Sequence, residues 1–372
     1  MQLALTDTES GYYTQAEGFL GESGDFTTAP RRVPAFSRAL ARVLADLVDS
    51  IPDEHVVVVE VGAGEGDLAA GILGHWMRTR PDLRSRVAYR VDDVGERLRE
   101  RLLSALRPAL DAGWDVGRWD NGAAGDVGPV GLVVTNELLD AFPVHVVDVT
   151  ADTPREAWVR FGRDPEGAGT LREEWGALSR EATDELRRVA PGLAGEALRD
   201  MSADGIMELR PTVRDFLRAW AHTFEEVGIL SIDYGDWLVG PGPIPSGAPE
   251  GSAGPHAPGV DLHRRSVRAY LRHQMTRDLY SNVGRQDLTA DVDFRALAMH
   301  GADLGYETIL YASLSSFLRA AGAGRDLAEL EEGGPYSLEA DIEGAPLASL
   351  LADDGVGGMF KVMLQVRDRG GT

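Results

Sequence analysis

There is no cysteine among the 372 residues, so disulfides, thiolate metal sites and cysteine nucleophiles are excluded at once. Lysine is almost as scarce. Lys361 is the single one, and 36 of the 37 basic side chains are arginine, a bias of the kind a GC-rich genome imposes. Positive charge is short overall: 60 acidic residues leave a formal charge of −23. That sign, with an isoelectric point near 4.7, disfavours sequence-independent binding to nucleic acid or an anionic membrane. No apolar run reaches the ~20 residues of a membrane span. The opening MQLALTDTES lacks the basic region and apolar stretch of a secretory leader. The eight histidines show no H-E-x-x-H or similar spacing, so no metal is expected. The expectation is a cytoplasmic globular protein whose partners are neither nucleic acid nor membrane.

What the chain does have is enough apolar residue, 43% at a mean hydropathy of −0.18, for one large core or two smaller ones. Residues 1–30 lack helical periodicity, whereas 34–49 repeat apolar positions every three or four residues behind Pro34 and predict a helix. Strand signals recur at 55–61, 87–91, 130–135, 144–149 and 227–233 with helical stretches between several of them. Such alternation predicts a parallel α/β sheet with ligands at the carboxyl ends of its strands. The charged stretch 150–204 breaks the rhythm and reads as an insertion, with helix at 178–200. A Pro/Gly/Ser-rich run at 240–259 reads as a mobile loop. The division that follows is a lid loop and helix (1–50), a first half of the core (51–149), an inserted cap (150–204) and a second half (205–372).

The most informative string is HVVVVEVGAGEGDL, residues 55–68. An apolar run ends in Glu60, and Gly62, Gly64 and Gly66 follow at two-residue spacing around Ala63. In a strand-turn-helix unit the first glycine makes the tight turn, the second lets the backbone approach a ligand, and the third lets helix and strand pack closely. A dinucleotide fingerprint would need G-x-G-x-x-G, and Asp67 stands where its last glycine belongs. The spacing therefore points to S-adenosyl-L-methionine (SAM), with S-adenosyl-L-homocysteine as product, rather than to NAD.

Further blocks follow in order. They are Gly11-Tyr12-Tyr13 with Gly24-Asp25-Phe26-Thr27-Thr28-Ala29-Pro30, the glycine turn, Asn136-Glu137-Leu138-Leu139-Asp140-Ala141-Phe142-Pro143-Val144, and Ile232-Asp233-Tyr234-Gly235 preceded by Glu208. The series closes with Gln286 to Phe294 and Gly358-Met359-Phe360-Lys361-Val362. Together the chain resembles the MidA-like SAM-dependent methyltransferases, the family that includes the mitochondrial arginine methyltransferase assisting respiratory complex I assembly. The resemblance implies a class I methyltransferase: an α/β, Rossmann-like doubly wound sheet with an N-terminal lid and an inserted cap. It implies that Thr28 and Pro30 lie in a segment closing on the cofactor. It also implies an acceptor that is an arginine of a protein or peptide. Two departures stand out: Arg31 where the family has a glutamate, and no glutamine near Ala312-Ser313-Leu314. Changed pocket residues would suit a small-molecule or natural-product acceptor within the same chemistry.

Methyl transfer from a sulfonium needs a desolvated nucleophile held in line with the S–CH3 bond, so positioning and exclusion of water are the protein's tasks. Glu137 and Asp140, three residues apart after a core strand, could grip a cationic nitrogen on one face of a turn; either could instead cap a helix or fix the loop. Asn136 either contacts the acceptor nitrogen or holds the loop. Tyr234 offers a phenol donor or an aromatic wall, with packing as the rival. Asp92 or Asp93, ending a strand, is the expected ribose partner, and the sequence does not choose between them. Asp120 could reach the adenine amino group or sit in a surface turn. His145 is the best histidine for acid/base work, with packing as the alternative, and the aspartates of DLTADVDF read as structural hydrogen-bonders. A non-catalytic assembly factor on the same fold is the competing reading, which the intact glycines disfavour. A homodimer is left open.

Overall fold

The computed structural model describes residues 1–15, 29–51, 55–95, 99–120, 129–163, 166–192, 196–238, 263–272, 274–332 and 343–368. The expected mobile loop at 240–259, and the lid residues Gly24 to Thr28, lie outside the described residues. Two compact units are interleaved along the chain. The first joins Glu17–Leu138, Ala219–Tyr234 and Ile309–Thr372; the second joins Met1–Ala16, Leu139–Arg218 and Gly235–Thr308.

In chain order the strands begin with β1 (Val56–Val61), β2 (Val87–Asp92), β3 (Asp115–Arg118), β4 (Val130–Asn136) and β5 (His145–Asp148). They continue as β6 (Arg155–Arg163), β7 (Gly169–Gly176), β8 (Ile206–Leu209), β9 (Glu226–Asp236) and β10 (Arg268–Leu271). The last are β11 (Gln274–Thr276), β12 (Asp287–Thr289), β13 (Val292–Asp293), β14 (Glu307–Ser313) and β15 (Phe360–Arg367).

The main sheet runs β14-β15-β9-β4-β1-β2-β3. Strands β3, β2, β1, β4 and β9 are mutually parallel, and β15 enters antiparallel beside β9. Val56 to Val59 are all buried, as expected of a parallel strand covered on both faces. Each such valine contributes on the order of 1.5–3 kcal/mol by leaving water. Helix Pro34–Asp49 forms as its periodicity predicts, with proline in its first turn, and buries Phe36, Leu40 and Leu44. It packs against helix Asp67–Thr79, whose buried face is Leu68, Ile72, Leu73 and Trp76. The two helices approach so closely that a Cβ on Gly71 would sit 2.4 Å from that of Ser37. Trp76 Nε1 donates to the Ala41 carbonyl at 2.8 Å and its ring stacks on Trp114.

Three expectations are corrected by the fold. The segment 144–149 is a strand, but it joins no parallel sheet: β5 lies in an antiparallel sheet β7-β6-β5-β8 of the second unit. In the insertion, β6 and β7 form a hairpin before any helix. Its strands carry Arg155, Arg160, Arg163, Arg172 and Glu174 and are largely exposed, so charge hid the strand pattern. The predicted helix over 178–200 is two pieces, Arg180–Val189 and Glu196–Arg199. Ser179 caps the first by accepting from Ala182 N at 3.1 Å, and Pro191 follows its end. Beneath this sheet a separate core gathers Val147, Val149, Leu186, Val189, Met207 and Leu209. Residues 1–30, expected to be loop, contain short helices at Gln2–Thr6, Tyr12–Gln15 and Ala29–Arg32. Among the described residues no helix is long and apolar enough to cross a membrane.

Candidate active site

Strand β1 is flanked by β2 on one side and β4 on the other, so chain connections leave it in opposite directions and a crevice opens at the strands' carboxyl ends. The glycine turn sits there. Gly62, Gly64 and Gly66 have φ of 75°, 54° and 88°, a left-handed path that side chains with a Cβ rarely follow. Gly62 N and Ala63 N donate to the Asp92 carbonyl at 2.8 and 3.1 Å. A Cβ on Gly66 would come within 2.8 Å of Leu102, which explains the third glycine.

The two aspartates after β2 are given different work. Asp93 accepts from Gly64 N and Gly95 N, each at 2.8 Å, one on each carboxylate oxygen, and so anchors the turn. Asp92 is the last residue of β2 and is half-buried. Glu60 is buried, and the Tyr89 hydroxyl donates to its Oε2 at 2.7 Å. Burial pushes its carboxyl up to about 8, the Tyr89 bond opposes this, and Asp67 and Asp93 nearby push it further. Burial also raises Asp67, Asp92 and Asp93 from the ordinary aspartate value. Four carboxyl groups thus surround one turn, each resisting ionisation. A ligand carrying an ammonium and a sulfonium relieves that resistance, whereas a pyrophosphate adds to it. The residues present fit SAM, and the left-handed glycines leave backbone accessible for close approach.

At the end of β4, Asn136 pairs in register with Ile232. Glu137 follows with φ 52°, its N–H donating to the Ile232 carbonyl at 2.9 Å. Asn136 Nδ2 donates to Glu137 Oε1 at 3.3 Å. The turn and this strand end are neighbours: a Cβ on Gly62 would lie 3.0 Å from Leu138. Tyr234, on β9, pairs in register with Phe360 and meets its ring edge-on at 5.3 Å. Glycine turn, Asp92, Asp93, Asn136, Glu137 and Tyr234 therefore share the carboxyl edge of adjacent strands. Asp120 is exposed and follows β3, whose continuation Trp119 N donates to the Val91 carbonyl at 2.9 Å. Pro30 is buried in the short helix Ala29–Arg32, and Thr28 lies outside the described residues.

Other candidates are engaged elsewhere. Asp140 belongs to the second unit, where it is buried and accepts from the Thr289 hydroxyl at 2.7 Å. His145 Nδ1 lies 2.7 Å from Glu156 in the antiparallel sheet. Glu208 accepts from the Ser266 and Val267 amides at 3.0 and 2.8 Å. In DLTADVDF, Asp287 accepts from Tyr13, Asp291 from Arg268, and Asp293 caps helix Phe294–Asp303. Sequence reasoning passed over Glu65, inside the glycine turn, which is bonded to both Arg31 and Arg101. Its place in the motif was the available signal.

A sheet in the order β3-β2-β1-β4-β9-β15-β14, with β15 antiparallel beside β9 and a glycine turn after β1, is the arrangement of a class I SAM-dependent methyltransferase. The chain belongs to the family described as "Putative S-adenosyl-L-methionine-dependent methyltransferase", matched over residues 39–312. It is similar to a Caenorhabditis elegans protein named "Protein arginine methyltransferase NDUFAF7 homolog, mitochondrial", at 25% identity over 304 residues. That alignment covers 77% of this chain and 63% of the relative, so the chain spans less than two thirds of the relative's length. A superfamily member from Burkholderia thailandensis, crystallised with S-adenosyl-homocysteine, superposes with a TM-score of 0.73 at 28% identity, covering 98% of this chain and 86% of that one. A native crystal structure of a superfamily protein from the same organism gives 0.70 at 27%, covering 98% and 85%. SAM is the cofactor, and methyl transfer implies a methyl acceptor.

Proposed function

We propose that this methyltransferase acts on a nitrogen of an arginine side chain in a protein or peptide. The observation that supports it most is Glu137, a carboxylate on a non-glycine residue held at φ 52° beside the glycine turn. Such a conformation persists where surroundings over-determine it, commonly at functional sites. A guanidinium presents a planar fork of N–H donors that a carboxylate accepts in pairs. In this reading Glu137 orients the acceptor nitrogen, Asn136 fixes the carboxylate through its amide, and Tyr234 supplies an aromatic wall or a hydroxyl. Bound SAM supplies an electrophilic methyl group. Asp92 takes the ribose hydroxyls, because both oxygens of Asp93 are engaged by the turn; Asp120 takes the adenine amino group. Asp140, bonded to Thr289, is assigned to holding its loop. The name carried by the C. elegans relative points to the same acceptor class.

A second reading, a small-molecule acceptor, rests on the missing glutamine near Ala312-Ser313-Leu314, where the resemblance leads one to expect one. Incubating the protein with methyl-labelled SAM and host lysate separates the two. Label on arginine in peptides supports the first reading, and label confined to metabolites supports the second. Intact SAM binding with no transfer would favour an assembly factor.

A further inference from the structure

We propose that Arg31 is a positioning residue for the cofactor, acting through Glu65 to hold the crest of the glycine turn. The inference rests on reading residues 60–66 as the cofactor turn. Glu65 stands between Gly64 and Gly66, at φ 54° and 88°. Glycines of this kind leave a turn with many alternative conformations, so its shape depends on what grips it. Backbone bonds grip the flanks: Gly62 and Ala63 hold the Asp92 carbonyl, and Gly64 is held by Asp93. The crest is gripped through the Glu65 side chain. Arg31 Nη1 lies 2.9 Å from Glu65 Oε2, and Arg101 takes the other oxygen. Each carboxylate oxygen thus has its own guanidinium.

Glu65 is the protected member of this triad, with a side chain 12% exposed against 37% for Arg31 and 57% for Arg101. Asp67, the first residue of the helix after the turn, is 4.0 Å from the same Arg31 nitrogen. A carboxylate at position 31 would face both Glu65 and Asp67 and push the turn away. An arginine there ties helix Ala29–Arg32 to the turn, while Arg101 ties it to helix Arg99–Asp111. Arg31 is therefore engaged by the cofactor turn and is not a free charge for recognising the methyl acceptor.

Exposed ion pairs taken singly are weak, and the two-sided grip on a largely covered carboxylate puts the expected effect at about fivefold in affinity. The test is calorimetric titration of S-adenosyl-homocysteine into the wild type, Arg31→Ala, Arg31→Lys, Glu65→Gln and Arg31→Ala/Glu65→Gln, with Gly64→Val as control. Arg31→Ala should weaken binding about fivefold and Arg31→Lys should recover most of it. The Arg31→Ala change should have no further effect in the Glu65→Gln background. The wild-type dissociation constant should rise with salt more steeply than that of Arg31→Ala, a difference that loss of fold would not produce. Unchanged affinity in Arg31→Ala, or the same loss in both backgrounds, overturns the proposal. Retained affinity in Gly64→Val, or no binding by the wild type, overturns the reading of the turn and the clamp with it.

Discussion

Two carboxylates carry the sharpest expectations at the scale of the residue. Glu137→Gln should lower methyl transfer about a hundredfold, equivalent to ~3 kcal/mol of lost transition-state stabilisation, while leaving the affinity for S-adenosyl-homocysteine within twofold. Single-turnover rates set beside calorimetry measure both; a Gln variant that turns over normally would return Glu137 to a loop-fixing role. Glu60 behaves differently. Its folded-state pKa, about 8, lies above the ordinary 4.5, so the folded protein holds a proton that the unfolded chain releases. That contribution is complete below pH 4.5 and is lost as pH rises through 8. On the order of 5 kcal/mol is at stake in the ligand-free protein, and Glu60→Gln should flatten the fall in melting temperature over this window. The glycine spacing and the Asn136-Glu137 pair were legible in the sequence because motif and strand end coincide. That Asp93 holds the Gly64 and Gly95 amides was not, since it depends on which amides the folded turn brings to a carboxylate.

Elements were legible where periodicity and burial agree. Helix Pro34–Asp49 and the strands at 55–61 and 130–135 show one apolar face or an unbroken apolar run. The hairpin of β6 and β7 was missed because its exposed faces carry arginine and glutamate. Strand β5 was read as a strand but given the wrong neighbours, because partner choice is set by residues far away in sequence, here Ile206 to Leu209. The contact between helices Pro34–Asp49 and Asp67–Thr79 is the element-scale test. Gly71→Val would drive methyl groups into Ser37, and overpacking of this kind costs about 2 kcal/mol. Denaturant melts should show a lower midpoint with an unchanged slope. A Gly71→Val/Ser37→Gly pair, which removes the opposing Cβ, should recover part of the loss.

For the whole molecule the governing quantity is charge. With −23 overall and carboxyl groups around the glycine turn that already resist a further negative charge, the protein should bind S-adenosyl-homocysteine and show no comparable affinity for NAD, whose pyrophosphate adds negative charge there. Calorimetry with both ligands decides this, and tight NAD binding would contradict the electrostatic argument. Fold class was readable from the alternation of strands and helices; the interleaving of the two units was not, since nothing local marks where the chain leaves one core for another. One consequence of that layout concerns synthesis on the ribosome. β15 lies between β14 and β9, yet it follows every other strand of the sheet in the chain. Until residues 360–367 emerge, β9 presents an unpaired edge to solvent or to a chaperone. β14, although synthesised earlier, must therefore wait for β15 before it can join the sheet, and nascent chains stalled before Phe360 should be protease-sensitive at β9 while β1 and β2 are already protected.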